Sequence, residues 1–286
     1  MTPAEIAVIA GVNLAWGINV PVSKYLVSNI PPLMAAGLRM VLVMLFLLPW
    51  LRWVPGQMRM VALISVFLGI AQYGLLLAGF ALSGEVSVVA IVMQIGIPFV
   101  TLVGYFQFRD RLNGQAWAGC GLAFAGVSLL TFDPRVFESY LSGVVLVSLA
   151  SVAGVYGLAL TRYLRDVPTF TVLAWSGVAG GITLPILSLA LEPQAFTRTV
   201  EAPLLAWGGL LFTVVATSIA GQGGVTYLIK RHPVGIVMTL TLVSPVIAVL
   251  LGITLRDEQL TGRFLIGAVT ALAGVALVAT RNLRRS

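Results

Sequence analysis

Asn13, Trp16 and Asn19 lie within one apolar run, Ala4 to Val22. Asn13, Trp16 and Gly17 fall three or four residues apart, the spacing that places side chains on one helix face. Amides both donate and accept hydrogen bonds, and an indole offers its ring face to a cation. Gln72, Tyr73, Gln94, Tyr156, Thr239, Thr241 and Ser244 extend the same chemistry to other apolar runs. All ten side chains are neutral. They suit a small zwitterion, with its ammonium over aromatic faces and its carboxylate on amide or hydroxyl donors or at helix N-termini. They hold no activated nucleophile.

Other chemistries have little to draw on. There is one cysteine, Cys120, between Gly119 and Gly121 in an apolar run, where a packed small residue is expected rather than a reactive thiol. The one histidine, His232, falls in the turn Lys230-Arg231-His232-Pro233, where an interfacial residue is expected. A zinc site, a di-metal centre or a Ser-His-Asp triad therefore lacks ligands or a base, and no metal or cofactor is expected. An intramembrane hydrolase would need a nucleophile facing a base inside the bilayer, so the chain is not expected to be an enzyme. No Asp, Glu or His stands at the centre of any apolar run, leaving no obvious proton relay.

The elements that must position these residues are membrane helices. Of 286 residues, 59% are hydrophobic and 9% charged, against about 45–50% and about 25% in soluble domains. The apolar runs last about 20 residues, enough for a helix to cross about 30 Å of hydrocarbon. Breaks at charges and at Pro or Gly give ten spans: 4–26, 32–50, 59–82, 86–107, 114–132, 140–161, 169–191, 203–228, 234–254 and 262–280. The first has no basic leader or cleavage site and reads as a retained helix.

A segment recurs within the chain. Pro98, Asp110-Arg111-Leu112-Asn113-Gly114, Gly119, Ala123 and Gly126 return as Pro245, Glu258-Gln259-Leu260-Thr261-Gly262, Gly267, Ala271 and Gly274. Gly119 and Gly267 stand 148 positions apart, as do the other pairs from Asp110 onward. Five spans precede the boundary near Asp133-Pro134, so the second copy must enter the membrane from the opposite side. The expected fold is an all-α membrane protein of ten transmembrane helices in two inverted five-helix repeats, 1–133 and 134–286. An even span count puts both termini on one face, where eleven of the seventeen Lys and Arg residues fall, so both are expected to be cytoplasmic. The net charge of +7 is thus a topology signal and no nucleic-acid footprint. The expected partners are the lipid bilayer and a small-molecule substrate, with a monomer sufficient.

Leu14-Ala15-Trp16-Gly17-Ile18-Asn19, Lys24, Pro31-Pro32 and Arg39 resemble the opening of the EamA group in the drug/metabolite transporter superfamily. The mid-span proline, acid-x-Leu-x-Gly turn and glycine-rich last helix of each repeat resemble that family's most regular segment. Departures are Gly154-Val155 in place of the second Trp-Gly and the lack of an arginine in span 7 to match Arg39. The resemblance, strongest to the YddG-type exporters, implies ten helices, inverted repeats and export of aromatic and other neutral amino acids across a bacterial inner membrane. Alternating access driven by the substrate's own gradient is the expected mechanism. Lipophilic cations, drugs and nucleotide-linked sugars are alternative substrates on the same fold.

Individual residues carry separate expectations. Trp50, Trp53, Trp117, Trp175 and Trp207 fall near span ends, as interfacial anchors do, whereas Trp16 is central and is expected to touch substrate. For Gln72 and Gln94, cavity lining and interhelical hydrogen bonding are both open. Pro98 and Pro245 each remove a helical hydrogen bond and mark a hinge or a fixed kink. Gly119, Ala123, Gly267 and Ala271 form small-xxx-small faces for close packing of spans 5 and 10. Asp110 and Glu258 are expected to cap the helices that follow them, and Arg39 to snorkel to the external surface.

Overall fold

The computed structural model describes residues 2–109, 114–131, 134–164, 166–229, 240–256, 258 and 260–280; Asp110, Asp133, His232 and Thr239 lie outside them. Every regular element among the described residues is helical. In chain order these are α1 (Pro3–Asn29), α2 (Pro32–Phe46), α3 (Met58–Leu82), α4 (86–108), α5 (Gly114–Thr131) and α6 (Pro134–Leu160). There follow α7 (Thr169–Leu191), a short α8 (Ala195–Val200), α9 (204–229), α10 (Val243–Arg256) and α11 (Gly262–Thr280). Six described stretches are long and apolar enough to cross a membrane, lying in α1, α3, α4, α6 with its last turn, α7 and α9. The helices α2, α10 and α11 supply shorter apolar segments.

Local chemistry sets the helix ends. Thr2 Oγ1 accepts from Glu5 N (3.3 Å) while Glu5 Oε2 accepts from Thr2 N (2.7 Å), a reciprocal capping box that starts α1. Pro32, whose missing N–H would have been an orphan anyway, opens α2. That helix ends at Phe46, before the expected residue 50, because the chain tightens into a 3₁₀ turn, Leu48–Trp50, around Pro49. In α4 the ladder tightens to 3₁₀ at Met93–Ile95, immediately ahead of Pro98.

Two π-helical stretches break the α-helical register: Val66–Ala71 in α3 and Thr213–Gly221 in α9. Each ends directly before a glutamine, Gln72 and Gln222. The flanking sequences match, Ile70-Ala71-Gln72 against Ile219-Ala220-Gly221-Gln222, with Gly221 the extra residue. A π turn carries one residue more than the α-helical path requires and leaves backbone groups open to other partners.

The chain forms two compact units, each drawing segments from both sides of residue 133. The first comprises Met1–Pro21, Ser83–Val144 and Ala216–Ser286. Within it, α5 and α11 pack backbone to backbone. A Cβ at Gly126 would collide with Ala271 N and stand 2.7 Å from Gly267 O; one at Gly274 would collide with Ala123 N and stand 2.7 Å from Gly119 O. Between helices in lipid the attraction is van der Waals contact, so small residues set how close the axes come.

The second unit comprises Val22–Leu82 and Val145–Val215. Here α7 is the glycine-rich partner. A Cβ at Gly177 would stand 2.9 Å from Met44 N, one at Gly181 would stand 3.1 Å from Val41 N, and one at Gly180 would collide with Gly69 O in the π turn of α3. Phe67, Leu68 and Tyr156 pack against a cluster of Val61, Ile64, Leu160, Leu164 and Val172 that joins α3, α6 and α7.

Each unit also contains one carboxylate that caps a helix distant in sequence. In the second, Glu192 accepts from Leu33 N (2.9 Å) and Met34 N (3.3 Å) at the start of α2, and from the Ser188 hydroxyl one turn back. In the first, Glu258 accepts from Val86 N (2.5 Å), Ser87 N (3.0 Å) and Ser87 Oγ (2.6 Å) at the start of α4. Glu258 therefore does not cap the helix that follows it. The orphan N–H groups of α4 and its positive dipole end recruit the carboxylate, while Thr261 Oγ1 caps α11 by accepting from Phe264 N at 3.0 Å.

Candidate functional site

In the first unit the polar face of α1 is tied to α9 and to the approach of α10. Asn13 is 5% exposed. Its Nδ2 donates to Ile9 O one turn back (2.8 Å) and to Leu240 O (3.0 Å). One turn on, the Trp16 indole N–H donates to Thr217 O (3.3 Å) in the π stretch of α9, and Thr217 Oγ1 donates to Asn19 Oδ1 (3.4 Å). The indole fits there because residue 221 is glycine: a Cβ would stand 2.5 Å from Trp16 Nε1. Below it, Ile9, Val12, Val225 and Leu228 form an apolar cluster against which Trp16 and Leu240 pack. Gly17 lets α10 approach, since a Cβ there would stand 2.6 Å from Ile247 and 3.1 Å from Ser244 O.

Leu240 O meets Asn13 just ahead of the bend at Pro245. Proline has no N–H, so Thr241 O, four residues earlier, loses its helical donor. Ser244 supplies it instead, through its backbone N–H (3.1 Å) and its hydroxyl (2.9 Å). An uninterrupted helix would have directed that N–H to Leu240 O. Thr241 and Ser244 are both buried and belong to this bend. Gln94, in the corresponding turn before Pro98, folds back on its own helix, with Nε2 donating to Ala90 O at 3.4 Å. Pro98 O accepts from the Cys120 thiol at 3.7 Å, so this cysteine is a buried packing group.

The second unit holds Gln72, Tyr73 and Tyr156. The Gln72 side chain lies against Gly154 of α6, where a Cβ would stand 2.6 Å from Nε2. Tyr156 meets Phe67 edge to face, with centroids 5.0 Å apart. Tyr73 carries the guanidinium of Arg39 over its ring, 4.7 Å from the centroid, and shares a side-chain hydrogen bond with it. Arg39 is only 4% exposed, which corrects the expectation that it snorkels to the surface: the ring quadrupole and the phenol hold the cation within the protein. Of the ten candidate residues, Thr239 lies outside the described residues; Asn13, Trp16, Asn19 and Ser244 meet around α1, Thr241 is bonded to Ser244 beside them, and Gln94 stays on α4. Gln72, Tyr73 and Tyr156 belong to the other unit.

Sequence reasoning missed Thr217, Gly221 and Arg39 as participants. The repeated Ile-Ala-(Gly)-Gln stretch was the available signal for the first two. No described group of three or more His, Cys, Asp or Glu side chains is placed to hold a metal ion. What the α1 face offers is hydrogen-bonding groups and an indole ring, with no ionised side chain among Asn13, Trp16, Asn19, Thr217, Thr241 and Ser244.

Known proteins share this plan. A probable amino-acid metabolite efflux pump of Escherichia coli (strain K12) is 26% identical over 271 residues, covering 92% of this chain and 91% of its own length. Its namesake in Salmonella typhimurium is 24% identical over 272 residues, with coverage of 92% and 91%. The uncharacterized transporter YoaV of Bacillus subtilis is 26% identical over 291 residues, covering 93% and 94%. One protein crystal structure superposes at a TM-score of 0.67 and 16% identity, with both chains covered in full, a likeness of fold alone. The EamA-like transporter family matches residues 3–132 and again 141–280. With both matches covering nearly all of a chain of apolar helices, the protein belongs to the EamA-like transporter family.

Proposed function

We propose that this protein exports small neutral amino acids, aromatic ones among them, across a bacterial inner membrane. The observation that carries the reading is the α1 face, where Asn13, Trp16 and Asn19 are fixed by neutral hydrogen bonds and are themselves uncharged, as are Thr217, Thr241 and Ser244. A zwitterion, neutral overall, fits such a face. The two relatives named as probable amino-acid metabolite efflux pumps support the same substrate class.

The mechanism proposed is alternating access by ten helices in two inverted repeats divided near residue 133. The separate family matches to 3–132 and 141–280 support that division, and the helical interruptions before Pro98 and Pro245 support bending there. Both termini face the cytoplasm in this reading, which the positive-inside rule favours.

Proteoliposomes loaded with labelled phenylalanine test the reading. Efflux that depends on the protein, competed by other neutral amino acids and indifferent to lipophilic cations, is the expected result. Efflux of a lipophilic cation with no response to amino acids would overturn it. Cysteine-accessibility labelling at residues near 3 and 280 checks the orientation.

A further inference from the structure

Asn13 has an amide whose two ends are not equivalent. Both of its N–H bonds are engaged, by Ile9 O at 2.8 Å and by Leu240 O at 3.0 Å. Exchanging the amide oxygen and nitrogen would set the oxygen against those two carbonyl oxygens, so the surroundings dictate which end faces which way. The remaining atom, Oδ1, is buried and has no hydrogen-bond partner among the described residues. Buried polar atoms in native proteins are almost always paired, so this oxygen calls for a donor that the described residues do not supply.

We propose that Asn13 Oδ1 is the acceptor for the ammonium group of the transported amino acid, and so the residue that makes the carrier choose amines over carboxylic acids. This rests on the reading of the chain as an amino-acid exporter. Three features converge on it. An amide oxygen accepts and cannot donate, so it rewards an N–H and repels a carboxylate. Trp16, one turn along on the same face, has its own N–H occupied by Thr217 O, which leaves its ring face as what it offers a cation. Asn19 Oδ1 on this helix also acts as an acceptor, toward Thr217 Oγ1. The face of α1 is therefore the amine-recognising wall, and the substrate carboxylate has its donors elsewhere.

The bond to Leu240 also links this recognition to the bend at Pro245. Leu240 O accepts from Asn13 one residue ahead of Thr241, whose carbonyl takes the Ser244 N–H in the turn before Pro245.

Competition against labelled phenylalanine in proteoliposomes of the full chain tests the assignment, with phenethylamine as the probe lacking the carboxylate and 3-phenylpropanoate as the probe lacking the amine. In the wild type, phenethylamine should compete at least about tenfold better, the factor expected when a hydrogen bond to a charged group is lost. In Asn13→Leu, verified as folded by thermal unfolding and a monodisperse gel-filtration profile, the two probes should compete within about twofold of one another. A wild type that ignores the difference between the probes overturns the assignment without any variant, as does a folded Asn13→Leu that retains the full preference. Wild-type vesicles that move no amino acid overturn the transport reading and this assignment together, and are told apart from the other outcomes by the missing phenylalanine flux.

Discussion

Asn13 Nδ2 donates to Leu240 O across 3.0 Å, a side-chain bond to a carbonyl that Ser244 N–H would otherwise occupy. Pro245 lies five residues beyond that carbonyl, so the amide on α1 bonds the chain just ahead of the bend. The link runs through the backbone alone, from Pro245 to Thr241 to Ser244 to Leu240.

Pro245→Ala should break this chain of dependence. Restoring the N–H at 245 returns a donor to Thr241 O and lets Ser244 N–H turn to Leu240 O, which shifts that carbonyl relative to Asn13. Turnover in proteoliposomes should fall about tenfold, with thermal stability changed by no more than about 1 kcal/mol, because the proline sits in the first turn of α10 where it is well tolerated. Unchanged turnover would remove the bend from the mechanism.

The indole of Trp16 does two separable things. Trp16→Phe keeps a ring and loses the N–H to Thr217 O, a loss of about 1 kcal/mol or roughly fivefold in transport. Trp16→Ala removes the ring as well and should abolish measurable flux. Full activity in the alanine variant would show that the substrate does not contact this residue.

Glycine substitutions should sort by what each Cβ meets. Gly126→Val and Gly274→Val drive a side chain into the facing backbone and should each destabilise by about 1–3 kcal/mol or more in detergent thermal unfolding. Gly121→Ala and Gly208→Ala, both helical with nothing within 4 Å, should instead stabilise by up to about 1 kcal/mol. The opposite order would mean the α5–α11 contact is looser than described.

The two distant carboxylate caps can be read by hydrogen exchange. Glu192→Ala should deprotect amides at Leu33 and Met34, and Glu258→Ala those at Val86 and Ser87, each at a cost of about 1–3 kcal/mol. Thr261→Ala should act instead at the start of α11, by about 1 kcal/mol. Deprotection of α11 by Glu258→Ala would restore the sequence-based assignment of that residue as a local cap.

Run length and composition made the helical membrane character legible, because a span must be about 20 apolar residues whatever its neighbours. The family signature around Trp16 and Arg39 was equally open to reading. What escaped was everything that depends on backbone register or on a partner distant in the chain. A π turn leaves no hydrophobic pattern, so Thr217 O could not be foreseen as a partner for Trp16. Arg39 looks like a surface cation until Tyr73 is seen beneath it. Glu258 has suitable donors both in the next helix and at Val86, and only the fold decides between them. The glycines of α7 gave no repeat to notice, although Gly177, Gly180 and Gly181 bring that helix onto α2 and α3.

The α5–α11 contact is reciprocal: Gly126 meets Ala271, and Gly274, its counterpart 148 positions on, meets Ala123, the counterpart of Ala271. Reciprocity of that kind belongs to self-complementary interfaces between identical subunits, where residue i touches j and j touches i. The seam between these helices is thus the interior of what two separate copies would have shared as a dimer surface. Fusion changed its genetics more than its geometry. In two copies of one gene a single change strikes both contacts at once, whereas in this chain each can drift alone. A change at one contact thus leaves the other as it was, whereas a dimer of identical halves would lose both together.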